Sequence, residues 1–278
     1  MSGIDKYAVF GNPIKQSRSP LIHNAFAAQC GHQLQYRAVL VPPDGFAHAA
    51  RRFFDGQGAG LNVTVPFKLD AFQFADRLSD CAQRAGAVNT LTRSEDGQID
   101  GDNTDGIGLV RDMIVNLGWS VQGLRVLILG AGGATRGVLE PLLREQPQEL
   151  LIVNRTPEKA HQLARKFADI AAVEGGGYSL IGQREFDLVI NASSAGLTGE
   201  MPDLPGSLLT ERSCCYDMVY GAEPTAFMRW AAHHAAWAVA DGLGMLVEQA
   251  AQSFYIWRKL RPETRPVINK LRESMAAS

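Results

Sequence analysis

The chain has 278 residues, of which 46% are hydrophobic and 20% charged, with a formal net charge of −2. That length exceeds what one core usually holds, so two domains are expected, and the composition excludes a disordered or fibrous chain. The near-neutral charge offers no broad basic face, which removes nucleic acid from the expected partners.

Taken in chain order, apolar runs predict strands at 7–10, 35–40, 60–65 and 87–91, with helices near 20–29, 44–54 and 68–75. Ser19 before Pro20 reads as a hydroxyl N-cap ahead of a proline at the first helical position. A second series begins after Gly123 with a strand at 125–129, a helix to about 145 and a strand at 150–153. Thr156-Pro157 opens another helix, and short strands follow at 187–190, 215–218 and 238–240. Gly175-Gly176-Gly177 reads as a surface loop. The last long helix, 243 to about 260, follows a sheet already supplied with helices and is expected to pack on the first domain. Helices near 104–116 and 243–260 then stand at the crossings. The alternation defines an α/β fold of two domains. An N-terminal α/β substrate domain with a mainly parallel sheet covers 1–103 plus 243–278, and a Rossmann-type domain covers 104–242.

Cys30, Cys81, Cys214 and Cys215 are too few for a disulfide framework and show no metal-ligand spacing. Buried thiols and no metal are expected. The residues after Met1 lack the apolar run of a signal peptide, and no stretch reaches bilayer length, so a cytoplasmic location without membrane contact is expected.

The strand at 125–129 runs into Gly130-Ala131-Gly132-Gly133-Ala134-Thr135-Arg136-Gly137, and a helix follows. Backbone amides and the helix N-terminus of such a turn can hold a pyrophosphate. Thr135 stands where a third glycine is usual. The next strand ends in Asn154-Arg155-Thr156, with Lys159 a turn further on. An acid there would bind a ribose 2′-hydroxyl and repel a 2′-phosphate. Arg155 can instead stack on adenine and pair with the phosphate, and Lys159 adds charge. The cofactor read from these residues is NADP.

Three segments of the first domain carry polar groups that a buried strand does not need. Ser17 and Ser19 can donate to a carboxylate, although a turn with a helix cap explains them as well. In Asn62-Val63-Thr64-Val65-Pro66-Phe67-Lys68, Asn62, Thr64 and Pro66 share one strand face and Val63 and Val65 the other. Asn89 and Asp105 face one crevice, while Asp102 and Asn103 cap the helix that follows.

These segments together resemble the shikimate/quinate dehydrogenase family. The SxS of 17–19, NVTVPFK of 62–68, AGAVNT of 85–90, GDNTDG of 101–106, GAGGATRG of 130–137, NRT of 154–156 and DGLGMLVEQA of 241–250 match in one order along nearly the whole chain. The resemblance implies a reversible NADP-linked oxidation of shikimate to 3-dehydroshikimate, serving aromatic biosynthesis in the reductive direction. It implies Lys68 and Asp105 as the catalytic pair, and Ser17, Ser19 and Tyr220 on the substrate carboxylate. Asn62, Thr64, Asn89, Asp105 and Gln249 would meet the ring hydroxyls. The cofactor would touch Asp80, Met218 and Gly242 besides Gly130, Ala131, Gly132, Gly133, Ala134, Asn154, Arg155, Thr156 and Lys159. Gly242 and Gly244 would admit the nicotinamide close to the backbone. Relatives usually carry proline where Ala226 stands, and threonine is common within the serine-containing loop 191–196.

Two alternatives stay open. One is a paralogue acting on quinate or an amino-shikimate, since the same hydroxyl-binding residues suit several related acids. The other is a non-catalytic sensor of NADP or a shikimate-like acid, against which the retained Lys68 and Asp105 argue. The assembly is expected to be a monomer or a homodimer.

Overall fold

In the computed structural model, which describes residues 4–193 and 201–277, the apolar runs become two six-stranded sheets. The chain divides into two units, residues 1–108 with 247–267 and residues 109–246 with 268–278. Both are α/β, as the alternation of elements implies.

The first unit contains β1 (Asp5–Gly11), β2 (Leu34–Leu40), β3 (Gly58–Val63), β4 (Arg77–Leu78), β5 (Thr90–Arg93) and β6 (Ile99–Asp102), in the order β2-β1-β3-β5-β6-β4. β1 is parallel to β2 and β3, and β4 is parallel to β6. β5 is antiparallel to both β3 and β6. The strand expected at 87–91 thus begins only at Thr90, and it turns back through Gly97, whose φ of +85° suits glycine. Helices α1 (Ser19–Gln29), α2 (Phe46–Asp55), α3 (Lys68–Phe74), α4 (Asp80–Ala85) and α5 (Asp105–Arg111) complete this part. Phe10, Phe46, Phe54, Leu61, Val63, Phe67 and Leu91 share one buried cluster, each side chain contributing about 1.5–3 kcal/mol. Two local expectations change. Arg18, not Ser19, takes the N-cap position of α1, and the Ser17 hydroxyl accepts from the Ser19 amide at 3.3 Å. β3 stops at Val63, so Val63 is buried whereas Val65, two residues on, is 62% exposed and joins no core.

The second unit contains β7 (Arg125–Leu129), β8 (Glu149–Val153), β9 (Val173–Gly176), β10 (Phe186–Asn191), β11 (Leu209–Asp217) and β12 (Ala238–Asp241). All pair in parallel, in the order β12-β11-β10-β7-β8-β9. This is the doubly wound order with its switch point between β7 and β10. The runs Val126–Leu129 and Leu150–Val153 are buried throughout, as parallel strands covered on both faces require. α6 (Gly133–Arg144), α7 (Pro157–Lys166) and α8 (Ala226–His233) follow β7, β8 and β11. Gly175 and Gly176 are not in a surface loop but end β9 in buried positions. A Cβ at Gly175 would lie 2.2 Å from the Ala160 carbonyl oxygen, so glycine lets α7 approach the strand. Thr225 caps α8 by accepting from the Met228 amide at 3.2 Å. Ala226 occupies the helix's first position, where the proline of relatives would also fit. In the loop 191–196, Ser194, Ala195 and Gly196 lie outside the described residues.

The helix expected over 104–116 is α5 followed by a π-helical turn, Asp112–Asn116. α9 (Leu243–Arg258) starts in the second unit, and from Val247 its residues belong to the first. α10 (Arg265–Ala276) closes the chain. Residues 268–278, expected with the first domain, belong to the second unit, where the Arg272 guanidinium makes two bonds to the Asp241 carboxylate at 2.5 and 2.8 Å.

Within the first unit, His23 of α1 stacks on Tyr36 of β2 at 4.3 Å between centroids and also meets Trp257 and Phe254 of α9. Burial among these rings, opposed in part by the Asn62 amide, lowers the imidazole pKa to about 3. An unfolded histidine titrates near 6.5, so between those values the unfolded chain binds the extra proton. Stability therefore falls as pH drops from about 6.5 toward 3, by up to about 1.4 kcal/mol per pH unit. His23→Phe keeps a ring there and should remove this component. Urea unfolding at pH 7 and pH 5 should show a smaller loss in the variant, and equal losses would exclude His23 as the source.

Candidate active site

Two constellations carry chemistry, one in each unit. In the first, Phe67 is buried under the start of α3 and Val88 donates its amide to the Lys68 carbonyl at 2.9 Å, which fixes the first turn of that helix. The Lys68 ammonium leaves this turn and meets Asp105 at the start of α5, with Nζ 2.5 Å from Oδ2. The pair is not sealed: 32% of the lysine side chain and 14% of the aspartate side chain are accessible. A small molecule can therefore reach both.

Asn89 sets the direction of the aspartate. The Thr104 backbone N–H, which can only donate, faces Asn89 Oδ1 at 3.0 Å. The amide nitrogen must then point the other way, and it donates to Asp105 Oδ1 at 2.8 Å. One carboxylate oxygen is thereby held by Asn89 and the other by Lys68. Asn103 Oδ1 accepts from the Asp105 amide at 3.1 Å, which agrees with its expected capping role, whereas Asp102 Oδ1 accepts from the Asn103 amide at 2.7 Å, outside the helix.

Asn62 is oriented by the same logic. Its Nδ2 faces the Asn89 carbonyl at 3.2 Å, so Oδ1 accepts the Tyr36 hydroxyl at 2.7 Å. Nδ2 also reaches Thr90 Oγ1 at 3.2 Å and Ser253 Oγ at 3.0 Å. Burial raises the Tyr36 phenol well above its ordinary range, and the Ser19 hydroxyl beside it acts in the opposite direction. Tyr36 is therefore a neutral donor. Ser17, Ser19, Thr64 and Gln249 are half-buried, and Thr104 Oγ1 lies 3.5 Å from Gln249 Oε1. Tyr220 is half-buried in the second unit. The sequence reading assigns roles to Asn62, Asn89 and Asp105 but not to Thr90 and Thr104, which lie inside the AGAVNT and GDNTDG segments, nor to Tyr36 and Ser253, which lie outside any polar motif.

The second constellation is a cavity of about 850 Å³ at the carboxyl ends of β7 and β8. Gly130, Ala131, Gly132, Gly133, Ala134, Asn154, Arg155, Thr156, Lys159 and Met218 line it, joined by Tyr178, Met201 and Pro202, which sequence reasoning missed. Asp80 and Gly242 are not among its lining residues. Asp80 is exposed in the first turn of α4 in the first unit. At Gly242 a Cβ would lie 2.2 Å from the Met218 carbonyl oxygen, and at Gly244 1.9 Å from Asp112 Oδ1, so internal packing alone demands both glycines.

The cavity fits a dinucleotide. Gly130 has φ +107°, and a Cβ there would press on the backbone of Ala192 and Ser193 at 3.1 Å. At Gly132 and Gly133 a Cβ would meet nothing within 4 Å, which leaves room beside the loop. The first amides of α6 have no side-chain cap and can turn to an anion. Thr135 replaces the third glycine without obstruction: its buried hydroxyl donates to the Gly130 carbonyl at 2.7 Å and braces the turn. Asn154 Oδ1 accepts from the Ala131 amide at 3.2 Å, tying the loop to the end of β8. Arg155 and Lys159 are exposed cations beside it, able to pair with a phosphate. Burial raises the Tyr178 phenol pKa, and the Arg155 charge opposes that.

No helix among the described residues is long and apolar enough to cross a membrane.

A doubly wound sheet with a glycine loop at its switch point, in a chain that also holds an accessible Lys–Asp pair, defines a dinucleotide-linked oxidoreductase. Three family models match the chain: the shikimate dehydrogenase substrate binding domain over 9–91, shikimate / quinate 5-dehydrogenase over 113–197, and the shikimate 5′-dehydrogenase C-terminal domain over 242–272. The chain belongs to the shikimate dehydrogenase family. It is 54% identical over 277 residues to the shikimate dehydrogenase (NADP(+)) of Saccharophagus degradans, covering 98% of this chain and 100% of that one. To that of Cellvibrio japonicus it is 56% identical over 271 residues, 98% of each chain. Among solved structures, an Ael1 enzyme from Pseudomonas putida is similar with a TM-score of 0.92 and 45% identity, covering 96% of this chain and 98% of that one. Shikimate 5-dehydrogenase from Thermus thermophilus, in complex with NADP(H) and shikimate, gives a TM-score of 0.86 at 32% identity, covering 98% of this chain and 100% of that one.

Proposed function

We propose that this chain is an NADP-dependent shikimate dehydrogenase that interconverts 3-dehydroshikimate and shikimate for aromatic biosynthesis, working in the cytoplasm as a monomer or homodimer. The observation that carries this reading is the Lys68–Asp105 pair, 2.5 Å apart and open to a ligand. NADPH supplies the hydride that reduces the substrate ketone. As the carbonyl oxygen gains charge, the Lys68 ammonium stabilises it and gives up a proton. Asp105 keeps the ammonium directed and accepts a hydrogen bond from the reacting hydroxyl, while Asn89 prevents the carboxylate from turning. In the oxidative direction neutral Lys68 takes the hydroxyl proton.

We assign substrate binding to the first unit and NADP to the second. Ser17 and Ser19 would hold the substrate carboxylate, and Thr64, Asn89, Asp105 and Gln249 its hydroxyls. Asn62, with Nδ2 near three acceptors and Oδ1 engaged by Tyr36, supports this surface from behind more readily than it meets a ring hydroxyl. The glycine loop and the first turn of α6 would hold the pyrophosphate, and Arg155 with Lys159 the 2′-phosphate.

The test is a kinetic panel of shikimate and quinate, each with NADP and with NAD. Shikimate with NADP should have the highest kcat/KM. Quinate with NAD as the best pair would overturn both the substrate and the cofactor assignment.

A further inference from the structure

Behind the Lys68–Asp105 pair, two hydroxyls with no accessible surface join the amides of Asn62 and Asn89. Thr90 Oγ1 donates to Asn89 Oδ1 at 2.9 Å, accepts from Asn62 Nδ2 at 3.2 Å and lies 2.8 Å from Ser253 Oγ. Ser253 Oγ accepts from Asn62 Nδ2 at 3.0 Å, lies 3.3 Å from Thr104 Oγ1, and reaches the Gln249 carbonyl at 3.1 Å. Each hydroxyl has one proton to give. With the Thr90 proton on Asn89 Oδ1, the Ser253 proton goes to Thr90 or to Gln249. One directed path then reaches the acid: Asn62 to Thr90, Thr90 to Asn89, and Asn89 to Asp105.

We propose that Thr90 and Ser253 are positioning residues for the reaction at Lys68 and Asp105, acting through Asn89 and through the helical turn that carries Gln249. Neither is a hydrogen-bond partner of the Lys–Asp pair. A methyl group would fill either place, whereas a buried hydroxyl is unfavourable unless it is bonded. What the hydroxyls add is direction. Thr90 is one of three donors that hold Asn89 Oδ1, the others being the Thr104 amide and hydroxyl at 3.0 and 3.2 Å. Ser253 ties the α9 turn bearing Gln249 to β3 and β5 through Asn62 and Thr90. A small rotation of Asn89 releases one oxygen of Asp105, and misplacement of a reacting group by about 1 Å can cost about 10²-fold in rate.

The inference rests on the proposed function, and the test separates the two. Thr90→Val keeps the shape and removes the hydroxyl, Thr90→Ser keeps the hydroxyl, Ser253→Ala deletes one oxygen, and Lys68→Ala serves as the reference. With shikimate and NADP, Thr90→Val and Ser253→Ala should lower kcat about 10-fold while KM changes less than about 3-fold. Thr90→Ser should recover most of the rate. Thermal unfolding of each variant, recorded alongside, identifies one that is not folded at the assay temperature, and Ser253→Ala decides the matter if Thr90→Val is so affected. Wild-type kcat in folded Thr90→Val and Ser253→Ala beside an inactive Lys68→Ala overturns the positioning role. Equal losses in Thr90→Val and Thr90→Ser overturn it too, because methyl packing then explains both. An active Lys68→Ala instead removes the reading of the site on which the proposal stands.

Discussion

Lys68→Ala should lower kcat for shikimate oxidation by about 10²–10⁴-fold, the range that a positioned proton donor contributes, while shikimate KM moves far less. The expectation follows from the division of labour in the first unit. On the proposed assignment, the contacts of Thr64, Asn89 and Gln249 with the substrate survive removal of the ammonium. The reacting oxygen, however, loses both its proton partner and its nearest positive charge. Lys68→Arg sharpens the test. Arginine preserves a cation against Asp105 but does not release its proton near neutral pH, so it should recover binding without recovering turnover. Steady-state kinetics of both variants, with shikimate binding followed by calorimetry, would decide. Near-normal turnover in Lys68→Ala makes the proton role untenable.

Arg155→Ala should reduce the preference for NADP over NAD by about 10–10²-fold, measured as the ratio of the two kcat/KM values. A hydrogen bond to a charged group is worth about 1.5–3 kcal/mol, and each 1.4 kcal/mol is a factor of ten. Arg155 stands at the exposed end of β8 beside the glycine loop, with Lys159 one turn away on α7. Lys159→Ala should give a smaller change in the same direction, since an ammonium binds phosphate as a point charge and not through a fork. Arg155→Asp should go further than Arg155→Ala by adding repulsion toward the 2′-phosphate. An unchanged cofactor ratio in Arg155→Ala would mean that specificity lies elsewhere in the cavity, with Tyr178 the first residue to test.

Most strands of the second unit were legible to within a residue, because parallel strands buried on both faces read as uninterrupted apolar runs, but β11 begins at Leu209, six residues before the start expected at 215. β7 falls where 125–129 was predicted, and β8, β10 and β12 differ by a residue or two at their ends. β9 escaped notice because its glycines, which usually mark turns, serve here to admit α7 against the strand. The first unit was harder. Its β5–β6 hairpin breaks the alternation of strand and helix that the rest of the chain obeys. Val65 continues the apolar pattern of β3, yet the strand has ended before it. Of the site, the residues within polar motifs were legible: Lys68, Asn89 and Asp105 meet within hydrogen-bonding distance. Tyr36 and Ser253 were not, since a lone tyrosine in a strand or a serine in an apolar helix has no signature until its neighbours are known. Thr90, though inside the AGAVNT segment, drew no role because its partners Asn62 and Ser253 come from β3 and from α9. Gly242 and Gly244 show the converse case. Their pattern suggested room for a ligand, and a Cβ at either would also collide with Met218 or Asp112.

The crossing of α9 from one unit to the other has a consequence for biosynthesis. Translation delivers residues 1–108 long before residues 247–267. Until the later stretch arrives, His23 lacks the rings of Phe254 and Trp257, and Asn62 lacks the hydroxyl of Ser253. Gly60, kept small by the Trp257 indole, faces a gap, and the Leu91 carbonyl waits for the indole N–H. The half of the molecule made first is thus the half that must stay unfinished on the ribosome, and the surroundings of the Lys68–Asp105 pair are completed only by one of the last helices to be synthesised.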